Sequence, residues 1–148
     1  MEKLEITIRK MREEDCRAVA EIEKANFTKP WSREAFLDAT EKENAVYYTA
    51  LWKEEPVGYI GMWKVLDEGE ITNVSVKKTF QGKGIGRRLV ERLLAEGSVQ
   101  GVTSFFLEVR QSNESAIRLY TSCGFEAQGI RRNFYEAPRE DAVLMCKR

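Results

Sequence analysis

Two stretches of this 148-residue chain hold residue types whose spacing could do chemistry. The first is Gln81-Gly82-Lys83-Gly84-Ile85-Gly86-Arg87. Its glycines let the backbone turn tightly, approach a ligand closely and point N–H groups at it. Leu89, Val90, Leu93 and Leu94 follow at helical spacing, so the positive end of a helix adds to the loop. With Lys83, Arg87 and Arg88 nearby, the stretch reads as a pyrophosphate cradle. The second is Thr103–Arg110, a strand by its alternation. Phe105, Leu107 and Val109 fall on one side, and Phe106, Glu108 and Arg110 on the other. Glu108 at its centre is either exposed, or ion-paired with Arg110 two residues along, or faces a cleft.

What the chain lacks narrows the chemistry further. It has no histidine, which removes imidazole bases, Ser-His-Asp and Cys-His catalysis and His-containing zinc sites. Proton transfer must use carboxylates, Tyr, Lys, Cys or backbone groups. Cys16, Cys123 and Cys146 are odd in number and include no CxxC pair, so neither a disulfide framework nor a four-cysteine metal site is expected. Cys123 has no histidine to activate it and sits at a helix end just before Gly124, where the dipole does not favour a thiolate.

Two nucleotide motifs fail on the glycine loop. A Walker loop needs GxxxxGK[ST], but Gly82-Lys83 is followed by Gly84. A dinucleotide fingerprint counted from Gly82 needs glycine at 87, where Arg87 stands. Lys+Arg and Asp+Glu are 24 each, so the net charge of zero argues against nucleic-acid binding by bulk positive charge.

The elements that must position these residues follow from periodicity. Leu4–Arg9 alternates as a strand, and Glu13–Ala25 carries Cys16, Val19, Ala20 and Ile22 at helical spacing. Ser32 is an N-cap, with Trp31 and Phe36 placed as a hydrophobic staple around it. Ala45–Trp52, Val57–Val65 and Glu70–Val76 read as strands, with turns at Lys53–Pro56 and Asp67-Glu68-Gly69. Asn113 caps a short helix that runs through Ser122 and ends at Gly124. Phe125–Ile130 and Ala142–Cys146 are the last strands. The order is strand, two helices, three strands, helix, strand, helix, two strands, which predicts a mixed α/β sheet covered by helices. The length suits one domain spanning 1–148. The charged N-terminal run has no signal-peptide core, and the longest uncharged run, Gly97 to Leu107, is far short of the ~18 apolar residues of a membrane span. A cytoplasmic protein is expected.

Gln81-x-x-Gly84-x-Gly86 resembles the Q/R-x-x-G-x-G/A loop of the GNAT acetyltransferases, which holds the pyrophosphate of acetyl-coenzyme A. Further stretches resemble the ribosomal-protein-alanine N-acetyltransferases, the RimI type of that family. They are Phe27-Thr28-Lys29-Pro30-Trp31-Ser32, Leu107-Glu108-Val109-Arg110, Ser112-Asn113-x-x-Ala116-x-x-Leu119-Tyr120, Gly124-Phe125 and Ile130-Arg131-Arg132-Asn133-Phe134-Tyr135, with Glu140-Asp141-Ala142 and Met145 after them.

The resemblance implies a GNAT-like, mostly antiparallel sheet of about seven strands flanked by about four helices. It implies acetyl-CoA as co-substrate, no metal, and the N-terminal α-amine of a small-subunit ribosomal protein as acceptor. It assigns Glu108 as general base and Tyr120 as the acid for the leaving thiolate. It assigns cofactor binding to Gln81, Gly82, Lys83, Gly84, Ile85, Gly86 and Arg87, to Asn113, and to the backbone of Val74, Ser75 and Val76. Trp31, Tyr135, Glu68, Glu70 and Asp141 are candidates for an acceptor groove. Direct transfer in a ternary complex is expected, with no direct nucleic-acid or membrane partner and a monomer favoured. Two alternatives stay open: an acetyltransferase of a small-molecule amine, and a non-catalytic CoA-binding module.

Overall fold

The computed structural model describes residues 4–148. Seven strands form one sheet: β1 (Ile6–Lys10), β2 (Ala45–Trp52), β3 (Glu55–Val65), β4 (Glu68–Val76), β5 (Ser104–Arg110), β6 (Glu126–Tyr135) and β7 (Glu140–Lys147). Four α-helices cover it: α1 (Cys16–Asn26), α2 (Arg33–Thr40), α3 (Ile85–Val99) and α4 (Glu114–Ser122). The strand order is β1-β2-β3-β4-β5-β7-β6. Every pairing is antiparallel except β4 with β5. The expected mostly antiparallel α/β architecture is therefore observed.

Alternation along the strands splits the core into two. Val46, Tyr48, Ile60, Met62, Leu107 and Val109 face α3 and α4, where Leu89, Val90, Leu93 and Tyr120 meet them. Tyr47 and Tyr59 point the opposite way and pack with Cys16, Val19, Ile22 and Phe36 of α1 and α2. The start of α2 is built as its sequence implies. Ser32 Oγ accepts from Ala35 N–H at 3.1 Å, and the Trp31 and Phe36 rings lie 5.4 Å apart as the staple.

Some boundaries differ from the sequence reading. The first hairpin turn is only Lys53-Glu54, both at positive φ, as a tight two-residue hairpin requires, so β3 already begins at Glu55. The second turn is Leu66-Asp67, with Leu66 at φ 56°, so Glu68 and Gly69 belong to β4 rather than to a turn. β6 runs on to Tyr135 instead of ending at Ile130. It is an edge strand and nearly all of it is exposed, so it lacks the in–out alternation that reveals a strand in sequence.

The pairing of β4 with β5 positions the site. It covers only Glu68–Ser104, Gly69–Phe105 and Glu70–Phe106. Beyond Glu70 the two strands separate, while β4 stays paired to β3 and β5 to β7. A wedge opens through the sheet, and backbone groups on the facing edges of both strands have no ladder partner there.

Candidate active site

The wedge holds a cavity of about 540 Å3 lined by residues from both faces of the sheet. Glu108 lies on the face opposite Leu107 and Val109, which is the face carrying α1 and α2. Tyr120 comes from α4 on the other face. Both line the cavity, so the gap between β4 and β5 brings together two groups that an intact sheet would hold apart.

Glu108 is 15% exposed and its Oε1 stands 3.5 Å from Arg131 Nε. Burial pushes its carboxyl above the ordinary value, Arg131 opposes this, and Glu70 adds to it. Arg110, offered by the sequence as its ion-pair partner, is committed elsewhere. It donates to the Glu136 carbonyl at 3.1 Å, the Pro138 carbonyl at 2.9 Å and Glu140 Oε1 at 3.3 Å, and it stacks 4.4 Å from the centre of the Tyr135 ring. Arg110 thus fastens the loop between β6 and β7 against the site. Tyr135 lines the same cavity, and burial and the Glu108 charge push its phenol up to about 12.

Tyr120 is buried, and its hydroxyl makes no hydrogen bond among the described residues. Burial raises its phenol well above the ordinary range, so it stays protonated at neutral pH and can act as a donor. Cys123 does not line the cavity.

The glycine loop begins where β4 ends. Gly82 and Gly84 have φ of 76° and 82°, the left-handed region that favours glycine, and an added Cβ would meet nothing within 4 Å. Gly84 is the N-cap of α3 and offers no side-chain cap, which leaves the first-turn N–H groups of Ile85, Gly86 and Arg87 without intrahelical acceptors. The N–H groups of Gly82 and Lys83 also lack a partner among the described residues. A run of open donors at a helix N-terminus suits a diphosphate. Gly86 packs closely on Leu119, where a Cβ would stand 3.3 Å from Cδ2.

The side chains around the loop divide the work. Gln81 Nε2 donates to the Val76 carbonyl at 2.9 Å, folding the loop back onto β4. Arg87 is paired with Glu91 at 2.7 Å, and Arg88 donates to the Ile6 carbonyl. Asn113 is the N-cap of α4, accepting from Ala116 N–H at 3.1 Å, and it also lines the cavity. Val74 lines it too, and Ser75 is buried with its hydroxyl held by Asn26. These residues fit a ligand with a diphosphate at the loop and a carbonyl-bearing arm along the open β4 edge.

Of the acceptor-groove candidates, Trp31 and Tyr135 line the cavity, whereas Glu68, Glu70 and Asp141 do not. Asp141 instead accepts from the Asn133 N–H in β6. The cavity mouth is bridged by an ion pair between Lys29, after α1, and Glu136, after β6. Sequence reasoning missed the polar wall of Glu23, Asn26, Thr72 and Asn73. A signal existed: Glu23 continues the Cys16–Val19 stripe at helical spacing, on the face that should have been apolar.

Among the described residues, no helix is long and apolar enough to cross a membrane. The profile of the acetyltransferase (GNAT) family matches residues 11–125. The [ribosomal protein bS18]-alanine N-acetyltransferase of Escherichia coli K12 is 36% identical over 142 residues, 95% of each chain. That of Salmonella typhimurium LT2 is 36% identical over 134 residues, covering 89% of this chain and 90% of its own. The crystal structure of the ribosomal-protein-S18-alanine N-acetyltransferase from Escherichia coli superposes with a TM-score of 0.89 at 34% identity, covering 97% of this chain and 93% of that one. With the matched profile, these full-length likenesses and the split sheet all agreeing, the chain belongs to the GNAT family of N-acetyltransferases.

Proposed function

We propose that this protein transfers the acetyl group of acetyl-CoA directly to the N-terminal α-amine of a small-subunit ribosomal protein. The observation that carries the chemistry is the convergence of Glu108 and Tyr120 on one cavity from opposite faces of the sheet. The acceptor class rests on the relatives named above, whose own acceptor is bS18. The acting domain is the whole chain, 1–148, working as a cytoplasmic monomer without a direct nucleic-acid or membrane partner.

Acetyl-CoA supplies an activated acetyl thioester when bound. The N–H groups of Gly82–Arg87, with Gln81 and Lys83 beside them, hold its diphosphate. The backbone of Val74, Ser75 and Val76 holds its arm, with the Val76 carbonyl already taken by Gln81 and Asn26, and Asn113 lies alongside. Glu108 Oε takes a proton from the acceptor's α-ammonium, the freed amine attacks the thioester carbonyl, and the second proton lost from nitrogen restores the one Tyr120 gives to sulfur. An α-amine has an ordinary pKa of about 7.7–8.0, so deprotonating it near neutral pH costs only about 1 kcal/mol, and a carboxyl raised by burial is base enough. The Tyr120 hydroxyl gives its proton to the leaving sulfur. An acid and a base on opposite faces favour a single direct step with both substrates present, and Cys123 has no part in it.

The test is steady-state turnover on a peptide carrying the ribosomal acceptor's N-terminus, set against a panel of small amines. Peptide turnover with small amines poor supports the reading, and the reverse order overturns it. Mass spectrometry of ribosomal proteins from cells with and without the gene identifies the acceptor.

A further inference from the structure

One buried carboxyl in the cavity wall has no part in the chemistry above. Glu23 on α1 is 2% exposed, yet it lines the cavity. Charged side chains are almost never this buried unless every oxygen is satisfied. Here they are. Oε2 accepts from the Trp31 N–H at 2.8 Å, Oε1 accepts from the Tyr59 hydroxyl, and Asn73 Nδ2 lies 3.3 Å from both oxygens.

The hydrogen bonds run in one direction. The Thr72 hydroxyl donates to Asn73 Oδ1 at 2.7 Å, which leaves it free to accept from the Tyr47 hydroxyl 3.1 Å away. Donors therefore pass from Tyr47 to Thr72 to Asn73 and end on Glu23. Thr72 is also the extra residue of a β-bulge. Gly61 pairs with Asn73 and Met62 with Ile71, so Thr72 has no opposite number on β3. Burial and the Glu23 charge push the Tyr47 phenol up to about 12 and raise the Tyr59 phenol too, which keeps both as donors.

Four segments meet at this carboxyl: α1 itself, the loop to α2 through Trp31, β3 through Tyr59, and the bulged open edge of β4 through Asn73. The loop forms the wall on the Glu108 face, and the β4 edge borders the wedge. We propose that Glu23 is a positioning residue that clamps the α1–α2 loop to the β4 bulge and so sets the seat of the acceptor amine. This rests on the acetyl-transfer reading above. The α1–α2 loop holds no residue assigned to acetyl-CoA, and on β4 the clamp ends at Asn73, just before the Val74–Val76 stretch, so it bears on the acceptor more than on acetyl-CoA.

Glu23→Gln tests it, because glutamine brings a donor into a ring of donors. Tyr59→Phe is the companion. Tyr59 is fully buried and does not line the cavity, so it touches neither substrate directly and its hydroxyl meets Glu23. In Glu23→Gln, KM for the acceptor peptide is expected to rise about tenfold, the worth of one charge-assisted hydrogen bond, with a clearly smaller change in KM for acetyl-CoA. Tyr59→Phe is expected to shift the same parameter by less. Equal changes in both KM values, or a lower melting temperature with both KM values intact, would mean a purely structural role and overturn the clamp. Hydrogen exchange at the Trp31 amide gives a readout that needs no turnover. It is expected to speed up in Glu23→Gln while α3 amides stay protected, and unchanged Trp31 protection overturns the proposal. Wild-type protein that turns over no peptide would instead defeat the acetyl-transfer reading, and the exchange experiment would still decide the clamp. If Glu23→Gln does not fold, Tyr59→Phe carries both readouts.

Discussion

Arg131 on β6 reaches Glu108 on β5 across the intervening strand β7, with its Nε 3.5 Å from Glu108 Oε1. The register explains the reach. Arg131 and Arg110 flank Ala142 in one row, while Gly129 and Glu108 flank Leu144 in the next. The ion pair therefore lies on a diagonal, beside a methyl and a residue with no side chain. Arg131 is 55% exposed and Glu108 only 15%, so one partner remains in water and the attraction offsets only part of the cost of burying the other.

That imbalance has a consequence for stability. A carboxyl whose folded-state pKa is raised makes ionisation cost stability. The cost is absent below the ordinary value of 4.5 and fully present above the raised folded value. Glu108→Gln is therefore expected to melt higher than wild type at pH 7–8 and to lose that advantage in acid. Thermal melts across pH check this. The same variant is expected to lose turnover with acetyl-CoA binding kept, so stability and activity move in opposite directions.

Removing the opposing cation shifts the base. In Arg131→Gln the Glu108 carboxyl is expected to rise further, which moves the acid limb of kcat/KM for the acceptor to higher pH. A pH–rate profile reads it directly. An unmoved limb would assign that limb to the acceptor amine, with its ordinary pKa of about 7.7–8.0, rather than to Glu108.

Tyr120→Phe separates acid catalysis from packing. The ring packs 5.8 Å from Phe125 and the hydroxyl has no partner among the described residues, so the fold is expected to tolerate the change. Turnover is expected to fall by about 10²–10⁴-fold, the usual worth of a positioned proton donor. A wild-type kcat would remove Tyr120 from the mechanism.

Arg110→Lys asks whether charge alone holds the acceptor loop. Lysine keeps the charge but loses the planar fork that bridges two carbonyls and the stacking on Tyr135. KM for the acceptor is expected to rise as in Arg110→Ala, and full recovery in the lysine variant would contradict the loop-fastening role.

The elements built on one-sided burial were legible in the sequence. Ser32, Trp31 and Phe36 mark the start of α2, and the Leu107/Glu108/Val109 alternation places Glu108 on the right face. Asn113 is an N-cap by residue type alone. The tertiary relations were not legible. Nothing local says that Arg131 rather than Arg110 meets Glu108, because a bulge and two strand pairings set that contact. The length of β6 was hidden because an exposed edge strand has no burial pattern to reveal it. Glu23 was readable as a misplaced charge, but its three partners, Trp31, Tyr59 and Asn73, come from segments up to 50 residues away.

The three residue pairs that join β4 to β5 act as the spine of an open book. One cover, β1–β4, ends in the diphosphate loop, and the other, β5–β7, bears the base. The distance between Glu108 and the β4 edge is therefore a lever arm, and its fulcrum is the closed end of the wedge. Gly69 sits in that spine, where a Cβ would stand 2.5 Å from Met62 Sδ and 3.3 Å from the Phe105 ring. A methyl group there would pry at the hinge and change the opening at the tips, so the alignment of the two half-sites is governed from the closed end of the wedge, where no reacting group sits.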